Sequence, residues 1–269
     1  MSKTNSEMPF LGHLEEMRSR ILKAVVAVLI FTVVAFLAKD YIINDVVFGP
    51  RNVDFISFRA WCKLSHLLTL GNELCVTEIP YQIQSTTITG NFTAHIMVSI
   101  IVGIIISFPY IFHQIWSFIK PGLRKEEIKT VQGITFFTSL LFFLGVFFGY
   151  FVIVPLSLQF LGNYQFGDTP VITTVLSYMK LVAVISLAAG MIFQLPIFVY
   201  FLSKIGLVTP SILKKYRKHA LVGIFVLAAI ITPPDITSQI LVAIPVLFLY
   251  EISIIVSRRV QKNNDAKSV

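Results

Sequence analysis

The chain has 269 residues, 55% hydrophobic and 13% charged, with a formal net charge of +8. A soluble domain carries roughly 25% charged residues, and a chain this short builds one modest core at best, so lipid must be the solvent for much of the surface. The basic excess would suit nucleic acid, but Lys and Arg fall in short clusters between apolar runs, which is a membrane-topology signal; no nucleic-acid partner is expected.

Met1 to Arg20 is polar and contains Glu7, Glu15 and Glu16. The apolar run that follows has no small-residue cleavage site, so no removable leader is expected. In chain order, six spans are predicted at about 21–38, 94–112, 134–154, 174–203, 219–232 and 236–256, within a single transmembrane domain over 1–269. A helix rises about 1.5 Å per residue and the hydrocarbon is about 30 Å thick, so about 20 residues are needed. The first four stretches meet that. The fifth is only Ala220 to Ile231, and the sixth reaches Glu251 after Ile240 to Tyr250. These last two read either as re-entrant halves or as short spans joined by Thr232-Pro233-Pro234-Asp235. Lys215, Arg217, Lys218 and His219 before them, with Arg258 and Arg259 after, favour spans with both flanks on one side.

Seventeen of the 22 Lys and Arg residues fall on one side if the N-terminus, the segments 120–129 and 204–218, and the tail share it. That side is cytoplasmic by the positive-inside rule, which predicts both termini inside. Lys180, near the start of the fourth span, is expected to snorkel to the outer interface. The outer loop, 39–93, mixes polar and apolar residues and should fold as a small cap. Phe55, Phe58, Trp61, Leu64, His66, Leu67 and Leu68 suggest an interfacial amphipathic helix there. Cys62 and Cys75 lie in the same loop. The outside is oxidising, which favours a disulfide over two unlinked thiols. Pro109, Pro155, Pro196 and Pro245 predict kinked helices. No internal repeat is evident.

No His-Glu-x-x-His, G-x-S-x-G, Walker or glycine-rich nucleotide motif occurs, so neither catalysis nor a cofactor is expected. His13, His66, His95, His113 and His219 are scattered and read as interfacial or packing residues, with no metal implied. Gln194 beside Pro196 is a polar group at membrane depth. It serves either function or an interhelical hydrogen bond. Glu251 reads as structural, pairing with Arg258 or Arg259 or capping polar groups near the inner interface. Glu16 and Arg20 are spaced i,i+4 with the acid first, the favourable order for a helical pair. Pro121-Gly122 marks a turn before Glu126 and Glu127, which would start the next helix.

Taken together, these motifs resemble the TatC family, the polytopic core subunit of the twin-arginine protein translocase. The resemblance rests on His13-Leu14-x-Glu16-x-Arg18-x-Arg20, then Ser107-x-Pro109-x-x-x-x-Gln114-x-Trp116-x-Phe118-Ile119-x-Pro121-Gly122-Leu123 with Glu127. It continues with Tyr150-Phe151, Pro155, Phe193-x-x-Pro196, Thr232-Pro233-Pro234-Asp235-x-x-Ser238-Gln239, Ala243-Ile244-Pro245 and Tyr250-Glu251-Ile252. It implies an all-α integral membrane fold of six kinked helices forming a concave bundle, N-in and C-in, in the bacterial cytoplasmic membrane. It implies binding of twin-arginine signal peptides of folded cargo, with Glu16 and Glu127 reading the arginine pair. Arg18, Phe118, Pro121, Gly122 and Leu123 would shape the site. Gln194, Asp235, Gln239, Tyr150 and Glu251 would be intramembrane polar or partner contacts. TatA and, where present, TatB would dock in an oligomeric complex driven by the proton-motive force. Gln194 stands where the family commonly has an acid. The reading from another class is an ion- or proton-coupled small-solute transporter using Gln194, Lys180, Asp235 and Glu251.

Overall fold

The computed structural model describes residues 10–67, 69, 71–72, 75–119, 131–164, 167, 169–232 and 236–265. Pro121, Gly122, Leu123, Glu127 and Asp235 lie outside the described residues, as do Leu68 and the side chain of His13. In chain order the elements are α1 (Phe10–Leu37), α2 (Ile56–Leu67), β1 (Tyr81–Gln84), α3 (Gly90–Ile119), α4 (Val131–Phe148), α5 (Val154–Asn163), β2 (Val171–Thr174), α6 (Val175–Ile192), α7 (Leu195–Lys204), α8 (Pro210–Lys215), α9 (Arg217–Ile231) and α10 (Ile236–Asp265). Two π-helical segments, Asp40–Val47 and Gly149–Ile153, interrupt this series.

Five helical stretches among the described residues are long and apolar enough to cross a membrane: Leu14–Leu37, Gly90–Phe118, Gly133–Asn163, Val175–Lys204 and Gln239–Lys262. The sequence pattern also points to a span at 219–232. There α9 has 15 residues, which is about 22 Å at a rise of about 1.5 Å per residue, short of a bilayer core. In α1 only 6% of the most apolar window is buried, and Ile21, Leu22, Val25, Val26, Leu29, Ile30, Val33 and Val34 are exposed. Water would penalise that surface at about 25 cal/mol per Å², so lipid covers it.

The predicted prolines do two different things. Pro109 and Pro245 sit inside continuous helices. Pro155 and Pro196 stand at the first turns of α5 and α7, each just after a break. Before Pro155 the helix widens, and the Val154 N–H reaches Gly149 O, one residue further back than in an α-helix. Before Pro196 the helix tightens: Gln194 N–H donates to Met191 O at 3.1 Å, and Gln194 O accepts from Ile197 and Phe198 at 3.0 Å each. Both rearrangements precede a residue that has no N–H to give.

The chain forms two compact units. The first comprises residues 1–38 and 99–140. Inside it α1 and α3 approach closely at Gly103, where a Cβ would lie 2.3 Å from Thr32 Oγ1 and 2.8 Å from its backbone nitrogen. Ala35, Ser99, Ile101, Ser107 and Trp116 are buried in this unit.

The second unit comprises residues 39–98 and 141–269. Here α6 presses on the end of α4 and the π-helical turn through small residues. A Cβ at Gly145 would lie 2.7 Å from Ala189 O, and one at Gly190 would lie 2.7 Å from Val146 Cγ2. Tyr150 and Tyr178 donate their hydroxyls to Val46 O (2.5 Å) and Val47 O (3.1 Å), pinning the segment after α1. Phe48 stacks on Tyr178 and Phe55 meets Tyr150, both at 5.6 Å between ring centres. The all-α reading holds with one addition that the apolar periodicity did not signal. β1 and β2 pair in parallel, Tyr81 opposite Val171 through Gln84 opposite Thr174. Tyr81 is buried there, which pushes its phenol up to about 12, with Arg51 pulling back. The loop helix expected around Phe55–Leu68 is α2: it buries Phe58, Ser57 and Ser65 and exposes Leu64 and Leu67. Cys62 and Cys75 are joined by a disulfide.

Candidate functional site

The polar first turns of α1 carry most of the site's charge. Residues three, four, seven and eleven apart share a helix face, so Glu15, Arg18, Ser19, Leu22 and Val26 line up. With Lys23 and Tyr110 of α3 they line a groove of about 450 Å³. Glu15, Arg18 and Lys23 give it charge, and Leu22, Val26 and Tyr110 give it an apolar part. Of the residues expected to read the leader, Arg18 lines this groove; the acid in its lining is Glu15, and Tyr110 joins it without having been anticipated. Helical spacing from Arg18 would have found Glu15. Nothing local marks Tyr110, which arrives from another helix.

Glu16 lies beside this face. Its Oε1 accepts from Arg20 Nε at 2.9 Å and Nη2 at 2.5 Å, the pair that the i,i+4 spacing suggests. Its Oε2 is shielded from solvent and has no hydrogen-bond partner among the described residues. The two side chains are 22% (Glu16) and 26% (Arg20) exposed, so the pair is neither dry nor fully solvated. A carboxylate can accept about four hydrogen bonds; this one has an oxygen to spare. Phe118 is half-buried near the end of α3, after the buried Gln114 and Trp116. Its expected companions Pro121, Gly122, Leu123 and Glu127 lie outside the described residues.

The second predicted group lies in the unit of residues 39–98 and 141–269, and most of its polar atoms are used within the chain. Gln239 Nε2 donates to Phe225 O at 3.0 Å, tying α10 to α9. Tyr250 OH donates to Leu213 O at 2.8 Å, tying α10 to α8. Tyr150 is bonded to Val46 as described. Glu251 departs from expectation. Its partner is Arg217 Nη2 at 2.5 Å, at the start of α9, and not Arg258 or Arg259. Positions 258 and 259 lie two turns further along the same helix, whereas the α9–α10 packing brings Arg217 alongside. Gln194 is 4% exposed at the break before Pro196, deep in the second unit. Lys180 is exposed near the start of α6. Asp235 lies outside the described residues.

The family model for the Sec-independent protein translocase protein (TatC) matches residues 12–245 of this chain. The chain belongs to the TatC family. A TatC from Blattabacterium sp. subsp. Periplaneta americana is 39% identical over 264 residues, covering 97% of this chain and 99% of the relative. The TatC of Escherichia coli K12 is 34% identical over 250 residues, or 93% of this chain and 88% of the relative. Two crystal structures of the twin-arginine translocase receptor TatC also match. One, at 31% identity and a TM-score of 0.67, covers 93% of this chain and 99% of that one. The other, described as in DDM, has 32% identity and a TM-score of 0.71 and covers 90% and 98%. With five apolar membrane-length helices among the described residues, this TatC-family chain is a multi-pass protein of the bacterial cytoplasmic membrane. The family assignment also favours translocation over the small-solute transporter reading.

Proposed function

We propose that this chain is the signal-peptide receptor and core subunit of a twin-arginine protein translocase, moving folded proteins across the cytoplasmic membrane. The observation that carries the reading, beside the family match over residues 12–245, is the Glu16 carboxylate at the start of α1. One oxygen is held by Arg20; the other, shielded from solvent and without a hydrogen-bond partner among the described residues, is left for a guest guanidinium to reach as the leader docks. Guanidinium is planar and forks onto carboxylate, which an ammonium cannot copy, so arginine is read over lysine. Glu127 supplies the second acid, and Arg18, Phe118, Pro121, Gly122 and Leu123 complete the surface. An exposed ion pair contributes only about 0.2–1 kcal/mol, so the pair of acids discriminates but does not hold the cargo. Burying the leader's apolar stretch adds about 0.8 kcal/mol per CH₂, and Leu22, Val26 and Tyr110 offer it a wall.

In this reading α9 is a sixth, short span, both termini are cytoplasmic, and segment 39–93 faces outward. The chain is not an enzyme. It works with single-span TatA and, where present, TatB in an oligomeric complex, and energy comes from the proton-motive force. The deciding experiment is binding of an Arg-Arg leader peptide to the purified protein, compared with its Lys-Lys version. A clear preference for Arg-Arg that Glu16→Gln abolishes is expected. Equal binding of both peptides would refute the assignment.

A further inference from the structure

Cys62, His66 and Cys75 form a cluster that the proposed translocation does not use. Cys62 and His66 are four residues apart in α2 and so share one face of the helix. His66 Nε2 lies 3.7 Å from Cys62 Sγ and 3.9 Å from Cys75 Sγ, and all three ligating atoms lie within 4.8 Å of one another. In a tetrahedral zinc site, with Zn–S about 2.3 Å and Zn–N about 2.0–2.1 Å, a sulfur–nitrogen edge is about 3.6 Å. Both of the imidazole's distances already approach that edge. Two soft sulfurs and an imidazole are the donor set that selects zinc or a similar thiophilic ion.

We infer that the dithiol form of Cys62 and Cys75 binds one thiophilic divalent cation together with His66, so that disulfide and metal site are alternative states of this cap. Only the sulfurs need part, to about 3.8 Å, the sulfur–sulfur edge of the same tetrahedron. The turn after α2 has an anchor besides the bond: the buried Ser65 donates its hydroxyl to Gly71 O at 2.8 Å. Cys62 and Cys75 are partly exposed residues and His66 is exposed, so the cluster lies where ion and reductant can reach it. Reduction proceeds by exchange with a dithiol protein. Its two thiols become a disulfide while Cys62 and Cys75 each take up one proton and one electron. Binding then releases both thiol protons, leaving two thiolates and a neutral imidazole on the ion and the fourth position to solvent. The bound ion occupies both sulfurs, so it blocks return to the disulfide.

The test uses the full chain in detergent, as the disulfide and after reduction by a phosphine, dialysed against Zn²⁺ and assayed for bound zinc. The reduced form is expected to retain one equivalent and the disulfide form none above background. Co²⁺ on the reduced form should show a thiolate-to-cobalt charge-transfer band. His66→Ala should weaken binding by about 10-fold or more, since even an outer partner of a metal ligand is worth about 10–100-fold. Equal zinc on the reduced and disulfide forms overturns the proposal, as does a cobalt complex without a thiolate band. Both readouts compare redox states of one unmutated protein, so they decide even if the His66 variant fails to fold.

Discussion

Glu16 shows how little a single charge does by itself and how much its geometry adds. Its oxygen without a partner among the described residues has lost its water, and a guest guanidinium restores the bond. Glu16→Gln keeps the shape and removes the charge. It should weaken binding of an Arg-Arg leader several-fold, from the loss of up to about 1 kcal/mol in one ion pair, and barely change a Lys-Lys leader. Titration with labelled peptides reads both. Arg217 and Glu251 make the opposite case. Each is half exposed, so the pair should contribute under about 1 kcal/mol. Glu251→Gln should therefore leave the detergent melting temperature nearly unchanged, and a large drop would show that the pair is shielded in the membrane. The buried Tyr178 has a larger effect. Tyr178→Phe strands Val47 O and should destabilise by about 1–3 kcal/mol, seen as a lower melting temperature.

At the scale of elements, small residues matter more than apolar ones. Lipid tails are as apolar as leucine, so helices in a membrane associate where backbones approach closely. Gly145-x-x-x-Gly149 is such a signature, readable in the sequence, and it lies where α6 packs. A Cβ at Gly149 would come within 2.8 Å of Ala189 Cβ. Gly149→Leu should overpack the contact and cost about 1–3 kcal/mol, read by thermal unfolding in detergent, while leucine at the open Gly133 should be neutral. The proline signal was legible but incomplete. Sequence located all four prolines; whether each sits inside a helix or after a break depends on the surrounding packing. The parallel pairing of β1 and β2 was not legible, because four-residue strands far apart in the chain carry no period of their own.

For the whole molecule, the charge bias makes the sharpest prediction. Cysteines placed at exposed positions of segment 39–61 or at Asp235 of a cysteine-free background should react with an impermeant maleimide from outside. Those placed at Ser19 or Lys262 should react only after permeabilisation. Labelling at Asp235 from the cytoplasmic face would turn α9 and α10 into re-entrant halves.

Sequence alone determined the membrane class, the apolar stretches and the family. Composition and helical length are one-dimensional properties, and the family motifs recur at fixed spacing. It also foresaw the Glu16–Arg20 pair, which is local to one helical turn. Only the tertiary structure decided which distant groups meet. The bond from Tyr178 to Val47 spans 131 residues and that from Arg217 to Glu251 spans 34, and Tyr110 reaches its groove from a second helix. Contacts of that kind follow from how helices approach in space; a small-residue spacing can mark one face of an approach, but not the partner that meets it.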